Sequence, residues 1–304
     1  MLIIPDFPAP IIEIPLEHKG VTLFLKREDL IDSEISGNKY WKLFYNVNQY
    51  LERNDTHPML ITFGGAFSNH IAATAALGNK LNVKTLGIIR GEELAVKYAQ
   101  NATLRFTESK GMRFRFVSRS DYRDKQKLTE ILTNEFPDAL TVPEGGTNSE
   151  AVKGIQHMLT EQTKDFDYLC SAVGTGGTLA GLSKYCEGNQ KVMGFVVVND
   201  ASLAEKISDL SGKNNFELFE AHEGGYGKMS DELIRFINSF GKDYGIPLDP
   251  VYTGKMMRKL LLMIDDGCFP EGSRILAFHT GGLQGIVGAN EMLRKQNRKT
   301  IDRY

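Results

Sequence analysis

Apolar positions along this chain alternate between two spacings. Short β-branched or wholly apolar runs read as strands at Val21–Leu25, Met59–Phe63, Val83–Ile89, Arg113–Val117, Ala139–Val142, Phe166–Val173, Val192–Val198 and Arg274–Phe278. Between them the spacing lengthens to that of a helix. From Asn38 onward Tyr40, Leu43, Phe44, Val47 and Leu51 share one face, and Leu233, Phe236, Ile237 and Phe240 make a second stripe. Further helices are predicted over Ser68–Lys80, Ala95–Lys110, about Asp121 to Glu135, Leu179–Cys186, Lys255–Asp266 and Gly282–Arg294. Strands alternating with helices predict an α/β fold of open parallel sheets covered on both faces. Val192–Val198 is apolar almost throughout, as suits a strand buried on both faces. Pro143–Thr147 is the best candidate boundary, and a second crossing near residue 44 would make 44–147 a small α/β unit inserted into a larger one built from 1–43 and 148–304.

Polar punctuation falls at one edge of these elements. Gly64-Gly65-Ala66-Phe67-Ser68-Asn69-His70, Gly174-Thr175-Gly176-Gly177-Thr178 and His279-Thr280-Gly281-Gly282 each join the end of a strand to the start of a helix. Open α/β sheets bind ligands at that edge, and such loops offer backbone N–H groups to an anion. Three of them in one chain point to a shared cleft. In the Gly174 loop, small residues let the backbone curl round an oxyanion while Thr175 and Thr178 add hydroxyl donors. It lacks the spacing of a Walker loop, and Leu179 replaces the third glycine of a dinucleotide fingerprint. A small monophosphate fits best; a tight turn without a ligand is the alternative.

Ser36-Gly37-Asn38-Lys39-Tyr40-Trp41-Lys42-Leu43 puts two lysines in the first turns of a helix. There they oppose the helix dipole, which hints at a role beyond a solvated surface. A lysine whose pKa is lowered by burial or a cationic neighbour is a competent amine nucleophile toward an aldehyde. Lys42 could bring the positive charge that the phosphate loop lacks.

The bulk properties narrow the function classes. With 304 residues, 41% hydrophobic and 24% charged, the chain is long enough for a sizeable core, and its net charge of -2 argues against nucleic acid or an anionic membrane as partner. Cys170, Cys186 and Cys268 stand far apart, which suggests reduced thiols rather than disulfides or a metal site. His18, His57, His157 and His222 have no metal spacing and read as surface residues; no metal is expected. The N-terminal residues lack the pattern of a signal peptide and no run is long enough to span a membrane, so a cytoplasmic protein is expected.

Taken together these segments resemble the aminocyclopropane-carboxylate deaminase and D-cysteine desulfhydrase family, among the tryptophan-synthase-β-like, or type II, pyridoxal-phosphate enzymes. The match runs in order from Leu25-Lys26-Arg27-Glu28-Asp29-Leu30 to His279-Thr280-Gly281-Gly282. It implies two open parallel-sheet α/β domains with the cofactor cleft between them, pyridoxal 5'-phosphate as cofactor, a small amino acid as substrate and a homodimer. Gly37-Asn38-Lys39-Tyr40-Trp41-Lys42-Leu43 matches the family's lysine motif, which makes Lys39 the Schiff-base lysine and brings Lys42 toward the phosphate. Ser68 is implied for the substrate carboxylate or proton transfer, and Asn69 for the ring oxygen. Gly174, Thr175, Gly176, Gly177 and Thr178 match the phosphate cradle. Tyr226, in Gly225-Tyr226-Gly227, and Tyr252, in Asp249-Pro250-Val251-Tyr252-Thr253-Gly254-Lys255, match tyrosines that line the substrate site, while Thr280 closes the ring end.

Thr253 and Thr280 separate the branches of that family. The deaminase branch carries glutamate after the second tyrosine and leucine before the last Gly-Gly, whereas the desulfhydrase-like branch carries small hydroxyl residues. A hydroxyl near the pyridine nitrogen would not hold it protonated as a carboxylate would. The expected reaction is therefore D-cysteine desulfhydration: Lys39, or a relay through Ser68, removes the α-proton, hydrosulfide leaves from Cβ, and hydrolysis yields pyruvate and ammonia. Alternatives are 1-aminocyclopropane-1-carboxylate deamination, a nicotinamide-dependent oxidoreductase using the Gly174 loop, and a family member that binds a metabolite without turnover.

Overall fold

The computed structural model describes residues 1–16, 20–53, 57–225 and 227–302. Within them two sheets form. The larger is built from β1 (Ile11–Ile14), β2 (Thr22–Lys26), β7 (Tyr168–Val173), β8 (Lys191–Val196), β9 (Phe216–Glu220) and β10 (Arg274–Phe278), in the order β1-β2-β10-β7-β8-β9. The smaller contains β3 (Met59–Gly64), β4 (Lys84–Arg90), β5 (Arg113–Val117) and β6 (Leu140–Val142), in the order β5-β4-β3-β6. Every described pairing is parallel except β1 with β2 at the sheet edge. This is the two-sheet α/β architecture expected, with all four strands of the smaller sheet lying between residues 59 and 142.

The helices are α1 (Asn38–Arg53), α2 (Asn69–Leu81), α3 (Ala102–Ser109), α4 (Lys125–Glu135), α5 (Ser149–Ile155), α6 (Gly177–Tyr185), α7 (Leu203–Ser211), α8 (Asp231–Tyr244), α9 (Thr253–Asp265) and α10 (Gly285–Lys295). One face of the larger sheet packs Leu169, Val173 and Leu276 under Leu43 and Val47 of α1, Ile155 of α5 and Leu179 of α6. The other face packs Phe195 and Ile275 under Ile237, Met256, Leu260 and Leu293 of α8, α9 and α10. Around the smaller sheet, Ile61, Phe63 and Ile88 meet Tyr122 and Leu132 on one side, while Ile89 meets Ile71, Ala75 and Leu104 on the other. α1 and α5 approach so closely that a Cβ on Gly154 would lie 1.9 Å from the Trp41 carbonyl oxygen. Only glycine permits that contact, which is how α1 is held at a fixed height over the sheet.

Several boundaries differ from those read in the sequence. The segment expected as one helix over Ala95–Lys110 opens as short 3₁₀ turns, and α3 starts only at Ala102, because the Asn101 side chain accepts the Leu104 N–H at 2.9 Å and caps it there. The helix expected from about Asp121 begins instead at Lys125, capped by Asp124. α6 starts at Gly177 rather than Leu179, since Gly176 takes φ +86° and turns the chain into the helix. α10 waits until Gly285 because Gly281 and Gly282 both have positive φ. β1, β9, α5 and α7 are short or edge elements whose apolar pattern the sequence reading did not assign.

The charged run after β2 is buried rather than exposed. Lys26, Arg27, Glu28 and Asp29 all lie in the interior. Lys26 Nζ sits 3.0 Å from Glu28 Oε1, the Trp41 indole N–H donates to Glu28 Oε2 at 2.8 Å, and Arg27 grips Asp29 with two bonds of 2.8 and 2.7 Å. Buried charges persist only when paired in this way. Burial nonetheless raises the Glu28 carboxyl above its ordinary value, with Lys26 pulling the other way. The run ties β2 to α1, so it fixes where α1 begins.

Candidate active site

The loops after β3, β6, β7 and β10 that face the cleft each spring from the carboxyl end of a strand. Ser68 is the N-cap of α2, with its Oγ accepting the Ile71 N–H at 3.3 Å, and it lies against Gly64, where a Cβ would meet Ser68 Oγ at 2.9 Å. Asn69 follows at once. Its Oδ1 accepts from the Gln284 side chain at 2.6 Å, and its Nδ2 would lie 2.5 Å from a Cβ on Gly282. The loop after β3 in the small sheet therefore touches the loop after β10 in the large one.

Lys39 stands in the first turn of α1. The turn before it requires glycine: Gly37 has φ +68°, and a Cβ there would be 2.1 Å from the Thr280 carbonyl oxygen. The Asn38 N–H donates to that same carbonyl at 3.4 Å, and the Asn38 side chain donates to Thr178 Oγ1 at 2.7 Å. Lys39 Nζ donates to Asn38 Oδ1 at 2.9 Å. Burial lowers the Lys39 amine to about 8, although the Asp249 carboxylate pulls it upward. Lys42, one turn on, is buried and donates to Thr147 Oγ1 at 2.8 Å, while Thr147 and Thr175 share a hydroxyl contact of 2.6 Å. Burial, then the neighbouring Lys39, hold Lys42 well below its ordinary value.

At the other rim, Tyr252 leans on Gly174, where a Cβ would be 3.0 Å from the tyrosine ring. Thr253 is fully buried, and its hydroxyl is engaged by Asp249: it donates to Asp249 Oδ1 at 2.8 Å and accepts the Asp249 N–H at 2.9 Å. Thr280 is buried and supports the Lys39 turn through its carbonyl. Lys39, Lys42, Ser68, Asn69, Gly174–Thr178, Tyr252, Thr253 and Thr280 thus gather in the loops of one cleft, whereas Tyr226 lies outside the described residues.

Further contributors were given no role in the sequence. Thr147 bonds to Lys42, and Gly145 and Gly146, both with φ +67°, fold the supposed boundary segment into the cleft; a Gly145 Cβ would strike Thr175 Oγ1 at 2.6 Å. The signal was available, because Glu144-Gly145-Gly146-Thr147 follows a strand just as the three other Gly-Gly loops do. Asp249 is a buried carboxylate whose oxygens accept the N–H groups of Val251, Tyr252 and Thr253 and the Thr253 hydroxyl. His70 is buried in the first turn of α2. Thr62 donates to the Val142 carbonyl at 2.9 Å, so His70 Nε2–H donates to Thr62 Oγ1 at 2.7 Å and Nδ1 is left as a bare acceptor with no protein partner among the described residues. Burial, together with Lys39 and Lys42, keeps this imidazole well below its ordinary value. Gln284 completes the set through Asn69.

The donor set fits a phosphate monoester on an aromatic aldehyde. Gly177 opens α6, and a Cβ on it would fill the cradle at 2.9 Å from Thr147 Oγ1 and 3.0 Å from Lys42 Nζ. Thr147, Lys42 and a helix N-terminus border that space, and Thr175 is bonded to Thr147 beside it, which is chemistry for an anion. A nucleophilic amine and an asparagine amide lie along the cleft from it.

Two parallel sheets with such a cradle at their facing edges define a type II pyridoxal-phosphate-dependent lyase or deaminase, and the pyridoxal-phosphate dependent enzyme family matches residues 5–281. Within that class the chain belongs to the aminocyclopropane-carboxylate deaminase and D-cysteine desulfhydrase family. It is 31% identical over 313 residues to the bifunctional D-cysteine desulfhydrase/1-aminocyclopropane-1-carboxylate deaminase, mitochondrial, of Arabidopsis thaliana, covering 92% of this chain and 77% of that protein. It is 31% identical over 300 residues to a putative 1-aminocyclopropane-1-carboxylate deaminase of Pyrococcus abyssi, covering 90% and 88%. A crystal structure of an ACC deaminase homologue superposes with a TM-score of 0.80 at 28% identity, covering 96% of this chain and 94% of that one. O-acetylserine dependent cystathionine beta-synthase from Helicobacter pylori shares the fold, with a TM-score of 0.65 at 13% identity. The nicotinamide-dependent reading finds no support, and Leu179 explains why: it packs in the core where a dinucleotide loop would need a third glycine. No described helix is long and apolar enough to cross a membrane.

Proposed function

We propose that this enzyme eliminates a leaving group from Cβ of a small amino acid, with D-cysteine as the preferred substrate and pyruvate, ammonia and hydrogen sulfide as products. The observation that carries the choice is the residue after Tyr252. Thr253 presents no carboxylate there, and its hydroxyl is tied to Asp249, whose own oxygens are occupied by four donors. Opening a cyclopropane that lacks an α-proton demands more activation than expelling hydrosulfide from Cβ. A site without a free carboxylate at this position suits the easier reaction.

In this reading Lys42, Thr147, Thr175, Thr178 and the N-terminus of α6 hold the phosphate, Asn69 orients the ring, and Lys39 holds the aldehyde carbon. Bound there, pyridoxal phosphate supplies an electron sink for the substrate α-carbon. Once substrate displaces it, Lys39 Nζ accepts the α-proton, a task suited to an amine lowered to about 8. Ser68 receives the substrate carboxylate in this reading, which its position as N-cap at the positive end of α2 supports. Tyr252 and Tyr226 line the substrate side. The inserted unit over 44–147 contributes Ser68, Asn69 and Thr147, so a small rotation of it would open or shut the site, and we include in the proposal a cytoplasmic homodimer.

A second reading, deamination of 1-aminocyclopropane-1-carboxylate, is favoured by the names of the relatives above, one of which carries both activities. Assaying D-cysteine, L-cysteine, D-serine and the cyclopropane in parallel separates the two. Sulfide with pyruvate from D-cysteine is the expected result. Release of 2-oxobutanoate from the cyclopropane alone would overturn the substrate while leaving the cofactor site standing.

A further inference from the structure

Lys255 is buried in the first turn of α9, at the helix end that disfavours a cation. No described carboxylate forms an ion pair with it. Its Nζ donates instead to two backbone carbonyls, those of His222 at 2.9 Å and Gly225 at 3.2 Å. These belong to a turn in which Glu223, Gly224 and Gly225 have φ of +49°, +88° and +139°, a conformation that points both carbonyls at the lysine. Each carbonyl already accepts one backbone N–H, from Gly225 and Lys228 respectively, and Lys255 takes up a second lone pair on each. The nearest acid in the turn, Glu223, is spent on Arg258 and on the Ser230 hydroxyl. Behind the turn lies an open cleft of about 290 Å³ lined by Glu220, His222, Glu223, Lys255, Arg258 and Leu262.

An ammonium group held by carbonyl oxygens stands where a bare monovalent cation could stand, because such oxygens replace a hydration shell. We propose that Lys255 is a built-in monovalent cation. It clamps the 222–225 turn to the start of α9, and removing its side chain leaves a site for ammonium or potassium. The clamp joins the 222–225 turn to the start of α9 beside Tyr252, which the proposed function assigns to the substrate side. Lys255 is thus a positioning residue.

The test reads thermal stability of the holoenzyme at equal ionic strength in ammonium, potassium or tetramethylammonium chloride, a readout that holds whichever substrate the enzyme takes. Lys255→Ala is expected to lower Tm by about 3 °C or more, and ammonium or potassium should restore at least half of that loss in a saturable way. Tetramethylammonium, too large for the vacancy, should not, and the wild type should respond to none of them. Equal recovery in all three salts, or none in any, would overturn the proposal. Should Lys255→Ala not fold, Lys255→Met and Lys255→Arg decide it. A stable Met variant would show that only the aliphatic stem matters, whereas a stable Arg variant beside a weakened Met variant supports the cation.

Discussion

Two helices in this enzyme carry lysines in their first turns that are largely withdrawn from water, and what each nitrogen faces separates their purposes. At the start of α1, Lys39 and Lys42 meet only neutral oxygens, of Asn38 and Thr147, beside threonine hydroxyls and the N-terminus of α6. No carboxylate is bonded to either, and although Asp249 pulls Lys39 upward, burial pushes both amines down, which suits an incoming anion and an aldehyde. At the start of α9, Lys255 meets backbone carbonyls of a tight turn, and its charge is used where it stands. The same residue type against the same unfavourable dipole is poised for a ligand in one place and acts as a fastener in the other. The partner atoms, not the lysine, make the difference.

The sharpest way to break the comparison is Lys39→Ala. Turnover should fall by ~10²–10⁴-fold, the range for losing a positioned base, and no borohydride-fixed cofactor adduct should form. An adduct that persisted by moving to Lys42 would erase the distinction between the two. Lys42→Met should keep the adduct at Lys39 yet loosen the cofactor by ~10- to 100-fold, corresponding to one charge-assisted hydrogen bond of about 1.5–3 kcal/mol, measurable by dialysis against limiting cofactor.

On the α9 side, Asp249→Ala removes the acceptor of three backbone N–H groups and should cost about 2 kcal/mol of stability or more in urea unfolding. Little loss there would mean that α9 does not depend on its cap. The smallest effect is a pH dependence. The Lys39 amine in the fold loses its proton at about 8, below an unfolded lysine, so adduct formation by the cofactor-free protein should rise with pH through about 8 and then level. In the window above 8 and below the unfolded value the unfolded chain holds the extra proton. Lys39 therefore makes stability rise with pH there. A rate flat from pH 6 to 10 would contradict the lowered amine.

Much of the cleft was legible because its loops combine glycine pairs with hydroxyls directly after apolar strands, a local pattern that backbone sterics enforce. Gly37, Gly176 and Gly282 stand where positive φ or a contact under 3 Å admits no side chain. Thr147, Asp249 and the bare Nδ1 of His70 were hidden for the opposite reason. Nothing in the residues around them says that Thr147 meets Lys42 across 105 positions, or that His70 donates its one N–H to the Thr62 hydroxyl. The burial of the charged Lys26–Asp29 run is similar: it depends on its pairing and on the indole of Trp41, which stands 13 positions beyond Glu28.

The alternation of elements, the parallel sheets and the cofactor class could be read from the chain alone, because each depends on spacing or on short motifs within single turns. The tertiary structure alone decided which polar groups stand opposed across the cleft, which carboxylate is already occupied and which lysine is a clamp. Those properties arise from burial and from distances between loops on different strands, and only the packed sheets set them.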